Sequence, residues 1–88
     1  MSYYYSTVNG ITMNHSEVLN KDGFETIQIH FERPNDKGFD FLDMEIPGGV
    51  VYKSFGFSED DIMDLKEYVR DNDSLIWEFA RCGGGMNA

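Results

Sequence analysis

The chain of 88 residues has one cysteine, two prolines and only seven basic residues. A lone Cys82 excludes an internal disulfide framework and leaves a reducing, cytoplasmic compartment as the expectation. No apolar run approaches the roughly 20 residues that span a bilayer. The opening MSYYYS has neither the basic region nor the apolar stretch of a secretory signal. The seven basic residues face 16 acidic ones, for a net charge of -9, which opposes contact with phosphate backbones and anionic lipid. Direct nucleic-acid and membrane binding are therefore not expected. The fitting partner is a larger protein with a basic surface, including one that itself binds nucleic acid.

Hydrophobic residues make up 41% and aromatics 15%, enough to fold a small core and to exclude the disordered class. The length predicts one domain over 1–88, with strands in 1–55, a helical segment over 58–82 and a Gly-rich tail over 83–88.

Residues 1–16 contain no Asp, Glu, Lys or Arg. Within them Asn9-Gly10 tolerates the positive φ angles of a tight hairpin, predicting strands near Tyr3–Val8 and Ile11–Met13. Further on, Ile27, Ile29 and Phe31 alternate with Gln28, His30 and Glu32, the period of a half-buried strand. Asp22-Gly23 and PNDKG mark turns on either side. In FDFLDMEI the phase is defective, since Phe39 and Phe41 oppose Leu42, Met44 and Ile46. Either both faces are partly covered or a bulge near Phe41–Leu42 switches the phase, and the bulge is the favoured reading. PGG then turns into VVYKSF. Short connections predict an α+β fold: an antiparallel β-meander of four to five strands with a C-terminal helix packed on one face.

That helix has a clear start. Ser58 can accept a bond from the Asp61 N–H, Phe57 and Ile62 form a hydrophobic staple, and Glu59, Asp60 and Asp61 suit the positive end of the helix dipole. Ile62, Leu65, Val69, Ile76 and Phe79 share one face, with Asn72 in the stripe and Gly83 as the terminating residue. DNDS at 71–74 is poor helix material. One helix, kinked, is favoured over two that meet at Asn72–Asp73.

Opposite the apolar stripe fall Asp60, Asp64, Glu67, Asp71 and Glu78, whereas Lys66, Arg70 and Arg81 gather on one flank. Asp60–Asp64 and Glu67–Asp71 are therefore like-charge pairs that cost about 0.2–0.5 kcal/mol each. A solvated face kept negative for solubility explains the pattern structurally. A docking surface for a basic partner explains it functionally. Five carboxylates over a straight helix of this length lie about 6 Å apart, against one phosphate per about 3.4 Å of a DNA strand. Imitation of a phosphate backbone thus needs the sheet acids Asp36, Asp40, Asp43 and Glu45 to join the stripe.

No catalytic, cofactor or metal motif stands out. His15 reads as a loop residue, His30 lies on the polar face of a strand, and Cys82 at a helix C-terminus lacks the dipole that activates a thiol. DNDSLIWEF lacks the third oxygen ligand and the central glycine of a calcium loop. PGG and GGG lack the lysine and the context of a phosphate loop. Tyr3, Tyr4 and Tyr5 read as strand residues or as interface contacts, and Trp77 on the helix flank as a hot spot if exposed or core if covered. Partner-binding candidates are thus Asp60, Asp64, Glu67, Asp71, Glu78, Asp40, Asp43, Trp77 and Tyr4.

In size, charge and architecture the whole chain resembles small acidic phage-encoded inhibitors of host defence, including anti-CRISPR proteins that occupy nucleic-acid sites. No motif carries that resemblance, so it transfers no residue. It implies a non-enzymatic inhibitor whose acidic surface fills a basic site on a larger protein. The segment GFSEDDIMDLKEYVRDNDSLIWEFA, through Gly56, Phe57 and Ser58, also resembles the C-terminal helix of small prokaryotic domains found near toxin–antitoxin genes. The alternative function is a small regulatory or antitoxin-type domain, whose Tyr-rich hairpin could serve as a homodimer interface.

Overall fold

The computed structural model describes residues 2–82. Its strands are β1 (Ser2–Val8), β2 (Ile11–Ser16), β3 (Leu19–Lys21), β4 (Phe24–Asn35), β5 (Gly38–Ile46) and β6 (Val50–Phe55), followed by α1 (Glu59–Asp71) and α2 (Asp73–Arg81). Every pairing is antiparallel, in the order β1-β2-β4-β5-β6, with β3 also on β4. The α+β meander is as expected, with β3 as an added short strand. Three residues are too few to show a period, which is why LNK is silent as sequence.

Local chemistry explains the turns. Asn9 and Gly10 take φ of 52° and 78°, and Asp22 and Gly23 take 55° and 88°, the mirror-image turns that match strand twist. The two-residue turn at Asp36–Lys37 closes β4 on β5, so register runs unbroken from Asn35↔Gly38 to Ile27↔Ile46.

That unbroken register corrects the bulge expected near Phe41–Leu42. The irregularity lies one strand over, where Asp43 pairs with Lys53 but Met44 with Val51, leaving Tyr52 extra in β6. β5 keeps its side-chain alternation: Asp40, Leu42, Met44 and Ile46 are buried on the helix side, while Phe39 on the other face is 55% exposed and Glu45 there is buried beside Tyr52 and Lys21. The aromatics at 39 and 41 lie on the face that no helix covers.

Met13, Ile27, Ile29, Phe31, Leu42, Met44 and Ile46 meet Leu65, Val69, Ile76 and Ala80 in one core. His15 is a correction as well. It sits in β2, fully buried, with Tyr3 and Tyr5 rings 5.9 and 6.2 Å away. Its Nδ1–H donates to the Ser16 carbonyl at 2.8 Å.

The helix start matches expectation. The Asp61 N–H donates to Ser58 Oγ and the Ser58 N–H to Asp61 Oδ2, both at 3.1 Å, a reciprocal cap. The favoured single helix is corrected to two that meet at Asn72, whose φ of -105° and ψ of 7° leave the helical region. Tertiary bonding accounts for the break. The Tyr5 hydroxyl donates to Asn72 Oδ1 at 2.7 Å, and Asn72 Nδ2–H donates to the Tyr68 carbonyl at 2.8 Å. Asn72 thereby ties the helix junction to the N-terminal hairpin. The proposed terminator Gly83 and the tail over 83–88 lie outside the described residues.

Candidate binding surface

The carboxylates divide into two groups. On the sheet, most have partners. Asp40 is buried on the helix side of β5, where Oδ2 accepts from Arg33 Nε and Nη2 at 2.9 and 2.7 Å and Oδ1 accepts from Asn35 Nδ2 at 2.6 Å. Those bonds, the Arg33 pair first, hold its carboxyl below the usual range. Arg33 lies in turn 4.5 Å over the Phe57 ring. At Gly56, with φ of 85°, a Cβ would collide with the Asp40 side chain, so glycine is required there. Glu25 pairs with Arg81 at 2.8 Å, which lowers the carboxyl and raises the guanidinium.

The open sheet face has its own pairs. His30 Nδ1 meets Asp43 at 2.5 Å and Nε2 meets Glu32 at 3.0 Å. Partial burial works against the imidazolium, but the hydrogen bonds to Asp43 and Glu32 outweigh it, and the His30 pKa is raised. The His30 ring stacks on Phe41 at 6.4 Å and Phe41 on Phe55 at 6.2 Å. Glu45 accepts from the Tyr52 hydroxyl at 2.8 Å and lies 3.5 Å from Lys21 Nζ. A groove of about 600 Å³ crosses this face, lined by Asn14, Gln28, His30, Asp43, Tyr52 and Lys53 among others.

The helices differ. Asp60, Asp64, Glu67 and Asp71 on α1 and Glu78 on α2 are all exposed. Among the described residues none of the five has a side-chain hydrogen bond or an ion pair within 4.0 Å. The nearby cations point elsewhere. Lys66 and Arg70 line a groove against the Pro47–Gly49 turn, and Arg81 is held by Glu25.

The structure thus keeps the four α1 candidates Asp60, Asp64, Glu67 and Asp71 on one helix, with Glu78 beyond the break at Asn72, and separates the remaining candidates from them. Asp40 is enclosed beneath α1's entry loop, and Asp43 lies on the opposite sheet face, with Glu45 beside it. Trp77 is half-buried against the core with the Arg81 guanidinium 5.3 Å over its ring. Tyr4 is 65% exposed on the open face, its hydroxyl donating to Thr7 Oγ1 at 3.0 Å.

Sequence reading missed the Arg33–Asp40 and His30–Asp43 pairs, although a signal was available. Once Asp36–Lys37 is read as a two-residue turn, Arg33 falls opposite Asp40 and His30 opposite Asp43. Among the described residues no group of three or more His, Cys, Asp or Glu could hold a metal ion, and no helix is long and apolar enough to cross a membrane. Comparison of the chain with protein-family models, curated proteins and solved structures finds no match.

Proposed function

We propose that the protein is a non-enzymatic binding module whose acidic helical face occupies a basic site on a larger protein, of the kind that normally holds nucleic acid. The observation that supports this is the division of charge: Asp60, Asp64, Glu67 and Asp71 of α1 are exposed and unpaired, whereas the capping Asp61 and the sheet acids Asp40, Glu25 and Glu45 have partners. A helix selected for stability alone would avoid like-charge neighbours four residues apart, which weaken it by about 0.2–0.5 kcal/mol per pair. Unpaired carboxylates that are already solvated keep their full charge for a partner and speed its approach.

The same placement limits the form of recognition. Asp40, Asp43 and Glu45 do not join the helical stripe, and the α1 acids lie about 5–6 Å apart along the axis. That spacing fits scattered Lys and Arg side chains in a groove better than a phosphate-by-phosphate imitation of a nucleic-acid strand.

The test is affinity capture from the native host, washed with rising salt, with the wild-type chain and an Asp64→Lys/Glu67→Lys variant. The variant should keep its circular dichroism and melting temperature while releasing the partner at lower salt. Equal retention of the same partner by both chains at low salt would overturn the reading.

A further inference from the structure

The two edges of the sheet differ in what guards them. β6 carries Lys53 and a bulge at Tyr52, two devices that keep an edge from pairing with another chain. β1 shares only the bulge, placed at Tyr5 between Tyr4 and Ser6. Its seven residues SYYYSTV include no charge and no proline, and its outer backbone edge pairs with no strand among the described residues. Tyr4 and Val8 are 65% and 47% exposed along it. The neighbouring strand β2 is equally free of Asp, Glu, Lys and Arg.

We infer that the β1 edge is a self-association surface, on which a second copy of this chain pairs antiparallel through β1 to extend the sheet. The charge distribution selects this occupant. Two chains of net charge -9 repel wherever their carboxylates meet, yet all 16 acids lie beyond residue 16, so the β1–β2 hairpin is where two copies approach without apposing them. A basic partner finds no acid to pair with along β1 and is drawn instead to α1. An isologous two-fold contact between like strands needs an uncharged edge with unpaired backbone groups, which β1 offers on either side of its bulge, and the exposed Tyr4 of each copy adds contact area on the open face. The inference does not rest on the acidic-face reading. It is the interface that a dimeric regulatory domain would use.

The two surfaces therefore respond to salt in opposite directions. Binding through the α1 acids weakens as salt screens attraction, while pairing through β1 strengthens as salt screens the repulsion between copies. Sedimentation velocity of the full chain from micromolar to sub-millimolar concentration, at low salt and at about 0.5 M salt, reads this directly. The wild-type chain should shift from monomer to dimer with concentration, more readily at high salt. Tyr4→Glu should weaken the dimer about tenfold or more by placing like charges opposite one another, whereas Phe55→Glu, an equally exposed aromatic beside the other edge, should leave it within about twofold once the shared charge change is screened. A chain that stays monomeric at every concentration and salt overturns the inference, as does a dimer lost in Phe55→Glu and kept in Tyr4→Glu.

Discussion

The sheet and the helices carry their acids to different ends. Asp40, Glu25, Glu45 and the Asp43–His30–Glu32 group are cross-linked into the sheet or to the helix that covers it. Asp60, Asp64, Glu67 and Asp71 touch nothing charged, although Lys66 and Arg70 lie on the same helix. The same residue type is thus paired in one layer and, beyond the capping Asp61, left unpaired along the stripe in the other. Composition alone, with 16 acids in 88 residues, hides that distinction.

Substitutions should separate along this division. Asp40→Ala should have the largest effect, because it removes the close partner of the Arg33 guanidinium over Phe57, leaving only Asp61 at 4.0 Å, and takes the acceptor from Asn35. We expect a fall in melting temperature of roughly 10 °C or more, measured by thermal denaturation at neutral pH. Asn72→Ala comes next. It removes the acceptor of the half-buried Tyr5 hydroxyl and the donor to the Tyr68 carbonyl, at a cost of about 1–2 kcal/mol in urea unfolding.

These two positions also show where sequence reading stops. Asn9-Gly10 and Ser58 with Asp61 were legible because their chemistry is complete within a few residues. Asn72 was readable as a weak point, but whether the helix bends or splits there depends on Tyr5, 67 residues away. Asp40 looked like one more surface acid because its partner lies across a hairpin, and only the strand register makes it a buried ion-paired residue. Phe39 misled in the opposite sense, since an aromatic in a strand suggests core while β5 turns it to the open face. The capping run, the strand period and the acidic stripe are local facts. The pairing that decides which acids are free is not.

A smaller effect concerns pH. The folded-state pKa of His30 is raised by Asp43 and Glu32, so its contribution is fully present below the unfolded value of about 6.5 and is lost as pH rises through the folded value. Asp40 and Glu25 have lowered folded values, so their contributions are present above the unfolded value of about 4 and are lost as pH falls through the folded one. The contribution of His30 should decline on the alkaline side, and Asp43→Asn should remove most of that limb. An NMR titration of the His30 ring checks this directly, with an elevated midpoint in the wild-type chain that drops in the variant.

The smallest effect carries the most weight. In the double variant Asp64→Asn/Glu67→Gln both like-charge pairs on α1 are broken, while every hydrogen bond and ion pair described above stays in place. Its unfolding free energy at low salt should exceed that of the wild-type chain by about 0.4–1 kcal/mol, and the gain should shrink as salt is added. A variant less stable than the wild-type chain by a comparable amount would contradict the account, because it would mean that the fold itself uses Asp64 and Glu67.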